Sequence, residues 1–186
     1  MLMVLVLNGE MLMMKPPGKS FCLTIPRLKY RQEKFRKDWK HIDFEFFEGV
    51  DYQNLNFLFK EIDRLGLVPD KDEYIWQIAI TVSHYKLLEY CLRLNYSGSF
   101  TIFEDDAETF EDNWITEDYD LVRWYSYEPE WVGTCCYSVT KEAIKEILDR
   151  KNIRAIDYIF FDMGFTQLSL SKPVTRTTID CSYPVF

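Results

Sequence analysis

The chain has 186 residues, of which 47% are hydrophobic, 17% aromatic and 28% charged. A chain of this length can bury a substantial core as one domain, and the composition excludes an intrinsically disordered protein. The formal net charge of −8 argues against a protein that coats nucleic acid, so we do not expect nucleic acid to be a partner.

Cysteine usage and the N-terminal segment indicate where such a protein works. The five cysteines are widely spaced and odd in number, which predicts reduced thiols and a cytoplasmic protein. The apolar residues 1–7 are too few to span a bilayer, so we expect no transmembrane segment and leave peripheral membrane association open. We interpret residues 1–20 as a leader or edge segment and residues 21–186 as one domain.

Alternating strands and helices are predicted along the rest of the chain from hydrophobic periodicity and turn residues. The predicted strands are 21–25, 44–50, 100–103, 121–127 and 131–139, and the predicted helices are 28–39, 55–65, 73–94 and 141–150. Gly66 is expected to end the second helix, and Thr140 to cap the fourth. The longest helix, 73–94, is apolar enough to be buried on more than one face. Residues 110–120 are predicted to be irregular, and residues 173–186 are predicted to be extended and irregular.

Positive charge is concentrated between residues 15 and 37, in and around the predicted helix 28–39. A strand, a turn and a basic helix in this order are typical of the start of an α/β nucleotide-binding domain, although many α/β proteins begin in the same way. The basic residues either meet a phosphate-bearing ligand or form a solvated helix face.

A run of carboxylates follows the predicted strand 100–103. Glu104, Asp105 and Asp106 are consecutive, and Glu108 follows closely. Acidic residues at the carboxyl end of a strand lie where α/β folds bind their ligands. Crowded carboxylates raise one another's pKa unless a cation or hydrogen-bond donors relieve them, and sites made of oxygen atoms suit Mg²⁺ or Mn²⁺. We therefore predict a divalent-metal site here, with a solvated acidic loop as the alternative.

Several groups of residues, in a fixed order, carry a resemblance to a known family. They are Leu23-Thr24-Ile25-Pro26-Arg27 with Arg31, Gly49-Val50-Asp51, Ser83-His84, Ile102-Phe103-Glu104-Asp105-Asp106-Ala107, and Gly133-Thr134 with Tyr137-Ser138-Val139-Thr140. Together they resemble glycosyltransferase family 25, which includes lipooligosaccharide and collagen galactosyltransferases, over nearly the whole chain from Phe21. The specific part is Ser-His upstream of a hydrophobic strand that ends in Glu-Asp-Asp-Ala.

The resemblance implies a fold and a reaction. The implied fold is α/β, a GT-A-like (Rossmann-related) single domain with a central mixed, mainly parallel sheet flanked by helices. The implied reaction is metal-dependent transfer of a hexose, such as galactose or glucose, from a UDP-sugar to a hydroxyl acceptor such as a glycan, with inversion. Mn²⁺ or Mg²⁺ would be the cofactor, and the product would belong to lipopolysaccharide or another glycan.

The resemblance also implies roles for individual residues. Asp106, with Glu104 beside it, would bind the metal ion that bridges the donor diphosphate. The implied donor-binding residues are Arg27, Arg31, Asp51, Ser83, Glu104 and Asp105, and the implied catalytic positions are His84, Gln77 and Asp157. The two arginines are equally compatible with surface charges. His84 is either a catalyst or a buried structural residue, and Asp157 is either the general base or a residue that flanks the apolar segment 156–161.

Departures from the family pattern leave the activity open. Gln77 stands where the family has a Glu, and it can hydrogen-bond but cannot act as a base. Thr24 and Pro26 replace the family's Asn and Asp, and Tyr52 replaces a Gly after Asp51. The alternative function is therefore a catalytically degenerate module that binds a nucleotide sugar or glycan. A metal-dependent nuclease or phosphatase is a third hypothesis, and it rests on the carboxylates alone.

Overall fold

The computed structural model describes residues 6–7, 10–11, 15–109, 114, 119–124, 135–163, 167–169 and 175–177. The strands are β1 (Val6–Leu7), β2 (Glu10–Met11), β3 (Lys19–Thr24), β4 (Phe44–Glu48), β5 (Val68–Pro69), β6 (Phe100–Glu104), β7 (Ala107–Thr109), β8 (Leu121–Arg123), β9 (Cys136–Val139), β10 (Asn152–Ile153), β11 (Gln167–Ser169) and β12 (Thr175–Thr177). The helices are α1 (Lys29–Asp38), α2 (Leu55–Leu65), α3 (Ile75–Arg93), α4 (Lys141–Asp149) and α5 (Ile156–Phe161).

The central sheet has six strands in the order β11-β8-β9-β6-β3-β4. Only β9 runs against its neighbours among these six, while β11–β8, β6–β3 and β3–β4 pair in parallel. The strands β3, β4, β6 and β8 therefore end at one side of the sheet, which we call the carboxyl edge. The predicted fold class, a single α/β domain with a mixed, mainly parallel sheet flanked by helices, is confirmed.

The two faces of the sheet are covered by different helices. Phe21 and Ile102 are paired in register and pack with buried residues of α2, α3, α4 and α5, on what we call the α3 face. Their neighbours Cys22 and Phe103 point the other way and pack with Phe35 of α1, on what we call the α1 face. This alternation follows from the two-residue period of strands, and it decides where each residue at the carboxyl edge points.

The helices agree closely with the predicted segments. Gly66 ends α2 in the left-handed conformation, with φ of 65°, and Thr140 caps α4 by accepting a hydrogen bond from the Ala143 N–H at 3.3 Å. Both predictions are confirmed. The helix α3 buries residues around most of its circumference, as its apolar composition predicts. The apolar segment 156–161 forms the short helix α5.

The predictions for the later part of the chain are only partly covered by the described residues. The predicted strand 121–127 is described as β8 over its first three residues, and 131–139 as β9 over its last four. Most of 110–120 and of 173–186 lies outside the described residues. Within the tail, which is predicted to be extended and irregular, residues 175–177 form the strand β12, which pairs antiparallel with β7 directly after the acidic run. The four described cysteines are buried free thiols.

Candidate active site at the carboxyl edge

The carboxyl edge brings together residues that are far apart in sequence. Arg27 follows β3, Asp51 follows β4, and the acidic run ends β6. Because these three strands are adjacent and parallel, their carboxyl ends lie side by side. The predicted location of the acidic run at the end of a buried strand is confirmed.

Asp105 is enclosed on the α1 face. Its Oδ2 accepts a hydrogen bond from the Thr24 hydroxyl at 2.7 Å, and its Oδ1 accepts one from Arg31 Nη1 at 3.2 Å. The side chains of Asp105 and Arg31 are each 7% exposed. Burial raises the pKa of Asp105, while the hydrogen bond from Thr24 and the charge of Arg31 oppose that rise. Arg31 is therefore the counter-ion inside the acidic run, which excludes the surface-charge interpretation for this residue.

Asp106 lies beside this ion pair. Its Oδ2 is 3.7 Å from Arg31 Nη1, and its Oδ1 is buried without a hydrogen-bond partner among the described residues. Burial raises the pKa of Asp106 to about 7, and the nearby charge of Glu104 is the next largest cause. A buried carboxylate oxygen without a donor is costly, and a proton or a bound cation would relieve it. Asp106 is thus the acid in the run with a coordination position still to fill.

Glu104 points to the α3 face and contacts a buried polar chain. His84 Nε2 lies 3.2 Å from Glu104 Oε1, and His84 Nδ1 lies 2.9 Å from the Tyr137 hydroxyl. Because the Glu104 carboxylate only accepts hydrogen bonds, we assign the imidazole proton to Nε2, which donates it to Glu104. Nδ1 then accepts a hydrogen bond from the Tyr137 hydroxyl, whose pKa is raised well above its usual range by burial. His84 is fully buried and has partners at both nitrogens, so it positions Glu104.

Ser83 connects α3 to the loop that carries Asp51. Its hydroxyl accepts a hydrogen bond from the Val50 N–H at 2.7 Å and donates one to the Ala79 carbonyl at 2.7 Å. A side chain at Gly49 would place its Cβ only 3.0 Å from the Ser83 hydroxyl oxygen, so glycine permits this close approach. The predicted donor-binding residue Ser83 is 4% exposed, and its observed contacts hold the loop in place.

Arg27 and Asp51, two other predicted donor-binding residues, pair with each other. Arg27 Nε donates a hydrogen bond to Asp51 Oδ2, and Arg27 Nη2 donates one to Oδ1 at 3.3 Å. The side chain of Arg27 is 39% exposed, and its guanidinium carbon lies 5.8 Å from the centre of the Tyr52 ring. The pair therefore forms a solvent-accessible rim on the acidic site.

The two other predicted catalytic positions lie further from the acids. Gln77 Oε1 accepts a hydrogen bond from the Tyr74 N–H at 3.0 Å, which satisfies a backbone donor at the start of α3. Asp157 is in the first turn of α5, where it faces the positive charge of Arg123 in β8. Tyr137 packs against Phe160 of the same helix, with ring centres 4.9 Å apart. The polar chain below Glu104 therefore adjoins the helix that carries Asp157.

Three residues at the site have no predicted role. Thr24 and Tyr137 belong to motifs of the resemblance, but nothing in the sequence indicates that their hydroxyls reach Asp105 and His84. Arg123 is 5% exposed, and burial lowers the pKa of its guanidinium while Asp157 opposes that change. A charged residue in the apolar strand Leu-Val-Arg is the signal that could have identified it.

The consecutive acids do not form a cage for a metal ion. Among the described residues, no three His, Cys, Asp or Glu side chains come together as a set that could hold one. The reason is the alternation of strand side chains, because Glu104 points towards α3 and Asp105 towards α1. A metal ion at Asp106 would therefore need ligands from a bound molecule as well as from the protein.

The mixed sheet and its acidic carboxyl edge define an α/β protein with a candidate ligand site at the ends of its parallel strands. The profile of glycosyltransferase family 25 (LPS biosynthesis protein) matches residues 20–120, more than half of the chain. The chain belongs to this family, which supports a glycosyltransferase function. The matched region includes the whole acidic run and ends before Tyr137 and Asp157. No curated protein matches the chain.

In the part of the chain that the structure describes, no helix is both long enough and apolar enough to cross a bilayer. The longest helix, α3, carries Lys86, Glu89 and Arg93 along its second half.

Proposed function

We propose that the protein transfers a hexose from a UDP-sugar to a hydroxyl group of a glycan acceptor, with inversion and with Mn²⁺ or Mg²⁺ as cofactor. The family supports the glycosyltransferase class. The observation that supports a metal and a diphosphate at this site is the buried Oδ1 of Asp106, which has no hydrogen-bond partner among the described residues. The proposed reaction belongs in the cytoplasm, which agrees with the free thiols of the described cysteines.

The residues at the site fit a metal ion that is shared with the donor. Glu104 is the charged group that most raises the pKa of Asp106, and it precedes Asp106 by two residues in the acidic run. Mg²⁺ and similar ions are commonly held by one or two carboxylates together with substrate phosphates, and such a site needs no cage of three protein ligands. Asp106 and Glu104 would hold the ion, which as a Lewis acid stabilises the negative charge on the departing nucleoside diphosphate.

Other residues of the chain would prepare the site for the donor. Arg31 balances the charge of Asp105 and Asp106, and this keeps the buried acids in place before a ligand arrives. Arg27 and Asp51 form the rim, where the forked donors of the arginine suit a phosphate and the carboxylate suits a ribose hydroxyl. His84 and Tyr137 fix the direction of Glu104.

The acceptor hydroxyl needs a general base on the side opposite the leaving group. We propose Asp157 for this step, because it is an acid on the α3 face and lies on the helix that packs against Tyr137. In this arrangement Asp157 would take the proton from the acceptor, and the charge of Arg123 would hold the carboxylate in position.

A second function is favoured by one specific observation. Arg31 already provides a positive charge between Asp105 and Asp106. Combined with Gln77 in place of the family's Glu, this supports a degenerate module that binds a nucleotide sugar without metal and without transfer.

A thermal-shift panel of nucleotide sugars with and without Mn²⁺ distinguishes the two functions, because a ligand that binds the native state raises its melting temperature. For the transferase, a UDP-sugar with Mn²⁺ should raise the melting temperature more than either alone, and UDP should be released on incubation. Asp106→Ala should abolish both effects, whereas Asp38→Asn, which changes a partly exposed carboxylate paired with Lys34, should keep them. Undiminished turnover in Asp106→Ala would eliminate the proposed metal site.

A further inference from the structure

Two exposed aromatic rings stand at the start of α3. Tyr74 is 69% exposed and Trp76 is 37% exposed. Their rings are nearly parallel, with an interplanar angle of 10° and centres 6.3 Å apart. Single exposed apolar residues need no explanation, but two aligned rings offer flat faces to a ligand. We call Tyr74 and Trp76 the aromatic platform.

The aromatic platform lies on the carboxyl-edge side of the molecule. The helix α3 leads through a short connection into the start of β6, so its own first turn is at the opposite end, towards the carboxyl edge. Trp76 precedes Ser83 by seven residues, which is two helical turns or roughly 10 Å along the same side of the helix. Ser83 holds Val50, the neighbour of Asp51, so the platform and the rim of the candidate donor site lie at the same end of the sheet.

The charges around the aromatic platform narrow the chemistry of its ligand. Asp70, Lys71, Asp72 and Glu73 directly precede it, so three acids outnumber one lysine there, and Asp70, Lys71 and Asp72 are exposed. A phosphate or a nucleoside diphosphate would be repelled by these acids, and an apolar protein surface would have to desolvate them. A neutral saccharide fits, because its C–H face can pack on aromatic rings while its hydroxyls donate to carboxylates.

We propose that the aromatic platform is the subsite for a neutral saccharide of the acceptor, an inference that rests on the proposed transferase function. Gln77 becomes a positioning residue of this subsite, because its side chain accepts the Tyr74 N–H and so fixes the backbone that carries one of the two rings. This gives a role to a residue that departs from the family pattern.

The test uses the full chain labelled with 5-fluorotryptophan and observed by fluorine NMR. Methyl β-galactopyranoside, methyl β-glucopyranoside and lactose are titrated to their solubility limits, and Trp76→Phe assigns the Trp76 signal. The Trp76 signal should shift with at least one sugar, while the signals of the buried Trp39 and Trp124 should not. No shift with any sugar, or a shift with UDP in place of the sugars, would overturn the proposal.

Two variants separate a binding role from a structural one. Tyr74→Ala should weaken the sugar-dependent shift of Trp76 by roughly 2- to 10-fold in affinity, and Gln77→Ala should weaken it to a smaller extent. Phe59→Ala, which removes a ring of similar exposure from α2, should leave it unchanged and serves as the matched control. Equal sugar affinity in Tyr74→Ala and Phe59→Ala would contradict the platform.

The failure of this inference is distinguishable from the failure of the proposed function. The wild-type protein is also heated with UDP-galactose and Mn²⁺, a measurement that does not involve the platform. Stabilisation by the donor without a Trp76 shift would reject the platform alone. A Trp76 shift without stabilisation by the donor would reject the proposed transferase function. The platform would then be a saccharide-binding surface, but not the acceptor subsite of a transferase.

Discussion

At the carboxyl edge, neighbouring carboxylates have different surroundings on the two faces of the sheet. On the α1 face, Asp105 is enclosed with a buried cation, Arg31. On the α3 face, Glu104 contacts the imidazole of His84, which in turn contacts the hydroxyl of Tyr137. Three acids that are adjacent in sequence therefore have three different surroundings, and Asp106, which follows both, has a buried oxygen without a hydrogen-bond donor among the described residues. The acidic run therefore consists of an acid paired with a buried cation, an acid in contact with a histidine, and an acid with a buried oxygen that has no donor among the described residues.

The largest effect is expected on the α1 face, where a charge is buried. Arg31→Ala would leave Asp105 buried without its counter-ion, which should lower the free energy of unfolding by about 3–5 kcal/mol. Urea denaturation at pH 8 measures this change.

The matched control is Lys34→Ala. This variant removes a 46% exposed lysine of the same helix, which pairs with Asp38 and Glu108. The control should cost less than about 1 kcal/mol. Equal losses in the two variants would mean that water replaces Arg31 in its contact with Asp105.

The next effect concerns Asp106 and depends on pH. Its pKa in the folded protein is about 7, above the ordinary value of 3.8, because of burial and the charge of Glu104. Folding therefore favours the protonated form, so the stability from this group is fully present below about pH 4 and is lost as the pH rises through 7. Asp106→Asn removes the buried charge and should be more stable than the wild type at pH 8, by on the order of 1–3 kcal/mol.

Melting temperatures of the wild type and Asp106→Asn between pH 4 and pH 8 check this prediction. The two curves should converge towards pH 4 and separate above pH 7. Addition of Mn²⁺ with a UDP-sugar at pH 8 should stabilise only the wild type. If the variant is less stable than the wild type at pH 8 without ligand, the ionised Asp106 carboxylate must be stabilised by contacts other than those described above.

The fold was largely predictable because each element has local signals. Gly66 and Thr140 define helix ends by their own backbone and side-chain properties, and the alternation of short apolar strands with amphipathic helices indicates a parallel sheet. The pairing of β12 with β7 was not predictable, because it joins the tail to a segment far away in sequence without a local pattern.

The candidate site was predictable as a location but less so in its interactions. The end of β6 identified the acids, since strand ends at the carboxyl edge bind ligands in α/β folds. The partner of each acid depends on which face its side chain reaches and on which helix covers that face. Arg31 illustrates this limit, because its basic character suggested a surface charge or a phosphate contact, whereas the structure buries it against Asp105.

A smaller effect is expected on the α3 face, where the hydroxyl of Tyr137 supports His84. Tyr137→Phe leaves a buried imidazole nitrogen without its donor, which should cost about 1–2 kcal/mol of stability. Tyr85→Phe is the matched control, since Tyr85 is also buried and its hydroxyl donates to the carbonyls of Ile147 and Arg150. Both variants should be destabilised, but only Tyr137→Phe should weaken donor binding, because only Tyr137 reaches Glu104 through His84. Equal donor affinity in the two variants would assign the polar chain to stability alone.

The smallest effect on stability is expected at the rim, where the comparison between buried and exposed charges is sharpest. Arg27 is 39% exposed, so Arg27→Ala should change the free energy of unfolding by less than about 1 kcal/mol. Its effect on the donor should be larger than its effect on folding, because the forked donors of a guanidinium at a solvent-accessible edge suit a phosphate. The KM for a UDP-sugar should therefore rise while the melting temperature stays close to that of the wild type.

Arg27→Lys keeps the positive charge but loses the forked pair of donors. A KM between those of the wild type and Arg27→Ala would therefore show that the contact depends on geometry as well as on charge. A melting temperature that falls as far as in Arg31→Ala would show that this pair belongs to the folded core, and the distinction between the rim and the buried ion pair would then be lost.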